Sequence, residues 1–452
     1  MIVMKFGGSS VADAACLREV AELVCCHLPR SPLVVLSAMG KTTNALFEAA
    51  QAAVTGGLEP ALAVFGRIVD HHRQTASELF AGQPPAALVE TLSGVFQELE
   101  TLLRGVALLR ELTPRSMDAI ASVGERLSTH LFAAFAGGVW VDARTVLRTD
   151  ARFGEATPDF PALRAQAQKL IAPLLGPGQL VVTQGYIGAT ADGLTTTLGR
   201  GGSDYSASLF GAALAAEEVQ IWTDVEGVLT CDPRLVPTAQ PIAQLSFEEA
   251  AELAAFGAKV LHPATIQPAV EAAIPVTVRH TRRPQGSFTT ITAAGAGDRP
   301  VTALAAQSPL CVLTMTSTRM LDQAGFLARL FEVFGRHGVS VDSVATAETS
   351  VSLTVDAHVK LEPLIAELRQ FAAVTVARDR GLVAVVGARL KQTPGLAAQL
   401  FGVIRDINVE MISMGANEIN LSFIVRAEDV PVCLRKLHAA LFENGQRLRG
   451  ES

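Results

Sequence analysis

The chain has 452 residues, of which 49% are hydrophobic and 18% charged, and its net charge is −7. This length fits two or three domains, and the apolar content argues against disorder. A negative charge without a long lysine or arginine run argues against nucleic-acid binding. The six cysteines form no CxxC pair and no zinc-ligand spacing, so we expect a reducing compartment and no protein-bound metal. Without a leader or a long apolar stretch, we expect a soluble, cytoplasmic protein that is not membrane-bound.

The first part of the chain alternates between strand and helix patterns. Short apolar runs predict buried strands at residues 2–6, 33–38, 180–183, 220–223 and 275–278, and helical patterns cover 11–26 and most of 59–135. The polar residues 40–44 predict a turn after the second strand. This alternation favours a mainly parallel sheet with helices on its faces. Ser246 and Glu249 form a capping box at the start of a further helix. Glycines and a proline between residues 283 and 298 end the first domain, which we place at 1–290.

The remaining chain repeats a smaller pattern twice. Strands are predicted at 310–315, 339–344 and 350–355 with a helix at 325–335, and then at 382–387, 407–412 and 420–425 with a helix at 395–404. The offset of about 70 residues exceeds the periods of solenoid repeats. We therefore predict two ferredoxin-like βαβ-βαβ units, at 300–379 and 380–452.

Two glycine-rich segments stand at helix starts. The first is KFGGSS (residues 5–10), and the second is TTTLGRGGSD (195–204). Glycines let the backbone approach a phosphate, and helix N-terminal amides stabilise negative charge, to which Lys5 and Arg200 add full positive charges. The first segment is not a Walker A motif, because its lysine precedes its glycines. One such loop suits an ordinary surface turn, but two in one chain favour phosphate binding.

Three further segments contain polar or charged residues next to apolar stretches, and these are candidates for a binding site. Residues 222–227 (WTDVEG) and 232–234 (DPR) follow a strand, at the kind of edge that lines nucleotide crevices. Glu125 lies in an apolar helical stretch and needs an arginine or a substrate ammonium as its partner. Lys259 stands near a helix end, where pairing with the helix dipole is the simpler explanation. Taken together, these groups indicate phosphoryl transfer.

The combined segments resemble the aspartate kinase family. The matching stretches follow the family's order: 5–11 (KFGGSSV), 122–128 (SVGERLS), 195–207 (TTTLGRGGSDYSA), 222–234 (WTDVEGVLTCDPR) and 256–263 (FGAKVLHP). The two repeats resemble that family's paired ACT domains, so the resemblance covers nearly the whole chain. It implies an α/β fold, in which an amino-acid-kinase αβα sandwich precedes two ACT domains. No dinucleotide-binding fingerprint follows the repeats, so we expect a monofunctional enzyme without a homoserine dehydrogenase.

The resemblance also implies an activity and its residues. The enzyme would use ATP to convert L-aspartate to 4-phospho-L-aspartate, the first step towards lysine, threonine and methionine, with Mg²⁺ arriving on the nucleotide. The catalytic residues would be Lys5, Asp204 and Lys259. The ATP-binding residues would be Lys5, Gly7, Gly8, Ser9, Thr223, Asp224, Leu229, Arg234, Lys259 and Val260. Aspartate would be bound by Thr43, Glu125, Arg200, Gly201 and Ser203. Ser9 replaces a frequent threonine and Leu229 a frequent tyrosine, which changes one adenosine contact.

The repeats resemble the regulatory part of lysine-inhibited aspartate kinases. The matching effector positions are Met320, Gly325, Phe326, Leu327, Ser340, Val341, Asp342, Thr346 and Glu348. Gln323 and Ala347 differ from the family there, so feedback by L-lysine is a hypothesis, with threonine or no effector as alternatives. ACT domains usually pair across a dimer, so we expect a homodimer or a tetramer, and the repeats could serve that purpose alone. Repeats of this family can interleave, and we expect residues 430–442 to return to the first repeat.

Two other functions stay open from the sequence. The chain could be a kinase for glutamate or acetylglutamate, against which Glu125, Arg200 and the paired repeats argue. It could also be a non-catalytic amino-acid sensor, against which the presence of Lys5, Asp204 and Lys259 argues. A panel of substrates separates the first alternative, and ATP turnover separates the second.

Overall fold

The computed structural model describes residues 1–257, 263–295, 300–317, 320, 325–415 and 418–443. The strands are β1 (Ile2–Phe6), β2 (Pro32–Leu36), β3 (Val139–Val141), β4 (Val181–Gln184), β5 (Ile187–Ala189), β6 (Thr195–Thr197), β7 (Glu218–Thr223), β8 (Gln244–Ser246), β9 (Val276–His280), β10 (Thr289–Thr292), β11 (Ala303–Thr316), β12 (Ser343–Thr346), β13 (Ser350–Asp356), β14 (Ala373–Val386), β15 (Met411–Met414) and β16 (Asn420–Arg426). The helices are α1 (Ala14–His27), α2 (Thr42–Thr55), α3 (Leu58–Leu79), α4 (Ala86–Leu109), α5 (Pro114–Ala121), α6 (Val123–Ala136), α7 (Ala143–Val146), α8 (Phe160–Leu170), α9 (Gly202–Leu214), α10 (Phe247–Ala255), α11 (Pro263–Glu271), α12 (Phe326–Arg336), α13 (Glu362–Leu368), α14 (Leu396–Val403) and α15 (Val430–His438). Within these described ranges, no helix has both the length and the apolar character that a membrane crossing requires.

The chain forms two compact units, and each has hydrophobic core residues of its own. The first comprises Met1–Val228 and Leu261–Ala293, and the second comprises Leu229–Val260 and Ala294–Ser452. Residues 229–260 therefore group with the second unit, and the bounds of the first domain, 1–290, stay a prediction.

The sheet of the first unit has the strand order β3-β4-β2-β1-β7-β9-β10. Its neighbouring strands pair in parallel, apart from β9 and β10, which are antiparallel. All five residues of the central strand β1 are buried, because a parallel strand covered by helices on both faces has no solvent side. The predicted mainly parallel sheet is confirmed.

The side chains of β1 alternate between the two faces of this sheet. Ile2, Met4 and Phe6 point to one face and pack into a core shared with helices α1 to α6, which form the helical layer of this unit. Lys5 points to the opposite face, where its Nζ atom lies 2.6 Å from Oδ1 of Asp204 in the first turn of α9. The period of the strand thus places one lysine on the α9 side of the sheet, at the carboxyl end of β1.

The predicted helices and strands of the first unit agree with the structure within a few residues. The helical region predicted over 59–135 is confirmed as α3, α4, α5 and α6. The polar stretch at residues 40–44 was expected to be a turn, but α2 already begins at Thr42. The capping box, which lies in the second unit, is confirmed at α10. There the Ser246 hydroxyl accepts from the Glu249 amide at 3.0 Å, and the Glu249 carboxylate accepts from the Ser246 amide at 2.8 Å.

The second unit contains an antiparallel sheet in the order β12-β13-β11-β14-β16-β15. Strands β11 and β14 are each 14 residues long, and each runs through both repeats. The sequence analysis predicted only half of each long strand, at 310–315 and 382–387. The strands predicted at 339–344 and 407–412 lie a few residues further along, as β12 and β15.

The two repeats are joined through β11, whereas residues 430–442 were expected to join them. Helix α15 packs within the core of the second repeat, beside β11 and β14. The first half of β11 joins that second repeat instead, because Ala303 pairs with Val386 and Gln307 with Leu382. The second half of β11 pairs with β13 in the first repeat.

The segment 229–240 is part of the second unit and packs against the second repeat. Cys231 and Val236 are buried in the core of that repeat. The Thr230 hydroxyl lies 2.9 Å from Nε2 of His438 on α15, and the Thr230 carbonyl accepts from the amide of Leu304 on β11 at 2.8 Å.

His72 on α3 is a titratable side chain inside the helical layer. It is fully buried beside Phe96 of α4, and its Nδ1 atom bonds to the Ile68 carbonyl at 2.7 Å. Burial lowers the pKa of His72 from 6.5 to about 4. The folded protein therefore keeps this imidazole neutral at pH values where the unfolded chain protonates it.

This difference predicts a loss of stability in mild acid. The unfolded chain binds the proton first, so the free energy of unfolding falls as the pH drops below 6.5 and levels off below about 4. The part due to His72 is about 2 kcal/mol at pH 5. Urea unfolding at pH 7.5 and pH 5 should show a smaller loss for His72→Leu than for the wild type. His71→Leu, at the exposed neighbouring position, is the control and should behave as the wild type does.

Candidate active site

The first glycine-rich segment forms a tight turn between β1 and a 3₁₀ helix, Gly8–Val11. A Cβ atom at Gly8 would lie 2.9 Å from the Ala38 carbonyl oxygen and 3.0 Å from that of Gly40, so only glycine fits. The Gly40 amide donates to the Gly8 carbonyl at 2.9 Å, which ties this turn to the end of β2. The close approach fixes the backbone beside Lys5.

The second glycine-rich segment leads from β6 into α9. Gly199 and Gly201 have φ angles of +74° and +71°, which side chains other than glycine rarely adopt. Gly201 is the N-cap of α9, and no side chain caps its first amides. These amides and the helix dipole therefore make a site for negative charge, and the exposed Arg200 stands next to them.

Lys5 and Asp204 form an ion pair in which both side chains are largely buried, with exposed fractions of 11% and 18%. The pair joins the end of β1 to the start of α9. An ammonium group held beside a cleft neutralises the negative charge of a phosphate or a carboxylate, and its buried partner fixes its direction.

Glu125 lies in the first turn of α6 and is buried, with an exposed fraction of 3%. One carboxylate oxygen accepts from the Ala38 amide at 3.2 Å, and the other has no hydrogen-bond partner among the described residues. Burial raises the pKa of Glu125 to about 8, although the bond from Ala38 opposes this shift. In the empty cleft the side chain is therefore mostly protonated at neutral pH.

These groups border one cleft of about 730 Å³ on the carboxyl side of the sheet. It is lined by Lys5, Gly8, Ser37, Ala38, Gly40, Thr43, Asn44, Phe47, Glu125, Gly154, Glu155, Tyr186, Gly199, Arg200, Gly201, Gly202, Ser203 and Asp204. The structure thus brings together Lys5, Gly8, Asp204 and all five residues predicted to bind aspartate. Among the described residues, no group of three or more His, Cys, Asp or Glu side chains has the arrangement of a metal site.

Several lining residues were missed by the sequence analysis. Asn44 and Phe47 lie on α2, of which only the first residues were predicted, as a turn, and a helical pattern over 42–55 would have placed them beside Thr43. Tyr186 follows β4 with φ +68°, and its ring lies where a Cβ at Gly202 would come within 2.7 Å. Only the folded sheet brings Tyr186 to this edge, and its sequence carries no signal for it.

A second cleft of about 410 Å³ lies along the ends of β1, β7 and β9. Its lining includes the predicted nucleotide residues Ser9, Thr223 and Asp224, and also His280 and Arg282, which were not predicted. Thr281 joins two segments of its wall. The Thr281 hydroxyl lies 2.7 Å from that of Ser10 and donates to the Thr223 carbonyl at 3.1 Å. Of the predicted ATP residues in the first unit, Lys5 and Gly8 line the first cleft and Ser9, Thr223 and Asp224 line the second. Gly7 lies in the turn after β1 and is not among the lining residues of either cleft.

Four further residues were predicted to bind the nucleotide: Leu229, Arg234, Lys259 and Val260. Leu229 and Arg234 belong to the second unit. There the guanidinium of Arg234 donates three hydrogen bonds, of 2.5 to 3.1 Å, to the carboxylate of Asp232. Lys259 and Val260 lie outside the described residues. The ATP-binding roles of these four residues stay predictions.

The predicted effector residues lie in the first repeat, at two places. Met320, Gly325, Phe326 and Leu327 stand before or within the first turn of α12. Ser340, Val341 and Asp342 precede β12, and Thr346 and Glu348 lie at or just beyond its end. Because β12 is an edge strand, this region borders the unpaired side of the sheet.

The sequence was compared with known families and proteins. The amino acid kinase family matches residues 1–280, and the ACT domain matches residues 383–441. Lysine-sensitive aspartokinase 3 of Escherichia coli is 39% identical over 98% of this chain and 99% of its own length. Chloroplastic aspartokinase 3 of Arabidopsis thaliana is 41% identical over 98% of this chain and 81% of its own length.

Solved structures agree with the sequence matches. Aspartokinase III of E. coli in complex with lysine and aspartate, in its T-state, has a TM-score of 0.84 at 38% identity and covers 98% of this chain and all of its own. The same enzyme in complex with aspartate and ADP, in its R-state, has a TM-score of 0.82. The predicted family, fold class and class of enzyme are confirmed. The chain belongs to the amino acid kinase family and, within it, to the aspartokinases.

Proposed function

We propose that this chain transfers the γ-phosphoryl group of ATP to the side-chain carboxylate of L-aspartate, giving ADP and 4-phospho-L-aspartate. The observation that carries the proposal is the 730 Å³ cleft, which brings the Lys5–Asp204 pair, the uncapped end of α9 and the buried Glu125 together. This set offers a positive centre for a phosphate and complementary charges for an amino acid. ATP would enter as its Mg²⁺ complex, a substrate with its own metal.

The α-carboxylate and the ammonium group of aspartate have partners of opposite charge in this cleft. Arg200 and the first amides of α9 suit the α-carboxylate, because arginine and a helix N-terminus both favour an anion. Glu125 suits the ammonium group, since its second oxygen lacks a protein partner among the described residues. Thr43 and Ser203 line the same cleft and supply hydroxyl groups. This arrangement leaves the side-chain carboxylate to approach the lysine.

The reaction needs charge neutralisation more than proton transfer. The unperturbed pKa of an aspartate side chain is about 3.9, so the acceptor is already an anion at neutral pH and no general base is required. An oxygen of this carboxylate forms a bond to the γ-phosphorus while the bond to the β–γ bridging oxygen breaks, and ADP leaves with that electron pair. We assign to Lys5 the task of reducing repulsion between the two anions, and the family resemblance adds Lys259.

We also propose feedback inhibition by L-lysine at the start of α12 and the ends of β12. Lysine-sensitive aspartokinase 3 of E. coli is a relative, and aspartokinase III of E. coli has been solved in complex with lysine and aspartate. The carboxylates of Asp342 and Glu348 complement the two ammonium groups of lysine. A second copy of the chain would meet this region if it paired at the unpaired edge of β12, so we expect a homodimer or a tetramer.

The activity is tested first by aspartyl hydroxamate formation from L-aspartate, ATP and Mg²⁺. We expect hydroxamate that millimolar L-lysine suppresses, with L-glutamate and N-acetyl-L-glutamate as competing acceptors. Hydroxamate that lysine leaves unchanged would retain the kinase and reject lysine as the effector. Absence of hydroxamate from folded protein would reject the proposed reaction, and turnover with one of the other acceptors would identify the alternative kinase.

Lys5→Ala should lower turnover by about a thousandfold or more, because the charge that neutralises the transferred phosphoryl group is lost. Circular dichroism should show a folded protein, and ADP release measures the rate. Lys169→Ala, at an exposed lysine of α8, is the matched control and should keep wild-type turnover. Near-normal turnover of Lys5→Ala would disprove the phosphate-binding role.

The buried Glu125 predicts a pH-dependent affinity for aspartate. Its folded pKa of about 8 means that ionisation, which the substrate ammonium requires, becomes easier as the pH rises towards 8. The KM for aspartate should therefore fall by up to about tenfold per pH unit between pH 6 and 8, whereas the KM for ATP should not follow this trend.

Glu125→Gln cannot ionise, so its KM for aspartate should be high and nearly independent of pH over the same range. Initial rates at saturating ATP, at pH 6.5, 7.5 and 8.5, measure both proteins. A flat profile for the wild type, or the same slope in Glu125→Gln, would contradict the role of this carboxylate.

A further inference from the structure

Asp118 on α5 is a buried carboxylate that lies outside both clefts. Its exposed fraction is 2%, and it accepts three hydrogen bonds. Oδ2 accepts from the amides of Gly154 and Thr197, both at 2.9 Å, and Oδ1 accepts from the Thr197 hydroxyl at 2.8 Å. Burial raises the pKa of Asp118, and the three bonds oppose this shift. One side chain therefore serves as the common acceptor for two separate segments.

Both segments continue into the wall of the first cleft. Gly154 and its neighbour Glu155 line this cleft directly. Thr197 ends β6, and two residues later the loop with Gly199 and Arg200 begins. The two segments also touch, since a Cβ at Gly199 would lie 3.2 Å from the Gly154 carbonyl oxygen. Asp118 thus lies at the base of the loop that presents Arg200.

The backbone of Asp118 also bonds to the start of α6, the helix that carries Glu125. Its carbonyl accepts from the Ser122 amide at 3.0 Å, and Ser122 is the N-cap residue of α6. Glu125 stands in the first turn of that helix. A single residue therefore links the helix that carries Glu125 with the loop that carries Arg200.

We propose that Asp118 is a positioning residue that sets the spacing between Glu125 and Arg200, and thereby the affinity for the amino-acid substrate. This inference rests on the function proposed for the cleft. Substrate with an ammonium and a carboxylate at a fixed separation binds well only when its two partners are held at the matching distance. Removing the side chain also leaves three donors without their acceptor, two of them buried, which loosens both segments.

Asp118→Ala should raise the KM for aspartate by about tenfold or more and change the KM for ATP by less than about twofold. Hydrogen exchange measured by mass spectrometry should be faster in peptides that cover 150–157 and 195–204, and unchanged in peptides from β1 and β2. If this variant does not fold, Thr197→Val removes one of the three bonds and should raise the KM for aspartate by about threefold.

Asp118→Asn separates geometry from charge. The asparagine oxygen can accept from both backbone amides, and its NH₂ group can donate to the Thr197 hydroxyl, which also accepts. This variant should therefore keep the KM for aspartate within about threefold of the wild type. Asp159→Ala is the matched control, because it removes a carboxylate that caps α8 through the Ala162 amide at 3.0 Å, and it should leave both KM values unchanged.

The exchange measurement does not depend on activity, so the two proposals can fail separately. A wild type that does not phosphorylate aspartate would reject the proposed function, and the exchange rates of the two segments would still decide whether Asp118 holds them. Unchanged exchange in Asp118→Ala would overturn the positioning role. So would an Asp118→Asn variant whose KM for aspartate rises as much as that of Asp118→Ala, since charge would then be the cause.

Discussion

The ion pair between Lys5 and Asp204 is the constraint on which the arrangement of this site depends. Lys5 is the last residue but one of a fully buried strand, and the period of that strand turns it towards α9. An uncompensated ammonium at this place would be costly, because the side chain is largely desolvated. Asp204 in the first turn of α9 supplies the opposite charge and brings the helix N-terminus to the same edge of the sheet. The pair therefore positions both an ammonium group and a helix N-terminus without a side-chain cap.

Around this pair the cleft is built from groups that the protein itself leaves incompletely satisfied. Glu125 has one carboxylate oxygen without a partner in the described part of the chain, and α9 has no side-chain cap. The unpaired oxygen of Glu125 reduces the stability of the fold, since buried polar atoms without partners are unfavourable. Both groups also match an amino acid, whose ammonium and carboxylate supply the missing partners. The site thus holds its charges in place before the substrate arrives.

The second unit combines the regulatory repeats with a segment that the family resemblance assigns to the nucleotide. Thr230, beside Leu229, bonds to β11 through its carbonyl and lies within hydrogen-bonding distance of His438 on α15. Strand β11 in turn extends from the second repeat into the first, where β12 and the predicted effector positions beside it lie. A continuous set of backbone and side-chain contacts therefore runs within this unit from the first repeat to the segment that carries Leu229 and Arg234.

The sequence by itself determined the family, the α/β class, the paired repeats and eight of the eighteen residues that line the first cleft. These follow from local features, because glycine turns, helix caps and apolar periods depend on nearby residues. Only the tertiary structure decided the division into units, the sharing of β11 between the repeats, and the places of Tyr186 and Asp118. Strand partners and buried acceptors are set by residues distant in sequence, such as Thr197 for Asp118, and no local pattern marks such pairs. The charge state of Glu125 was likewise decided by the fold, since its pKa depends on how completely α6 and β2 exclude water.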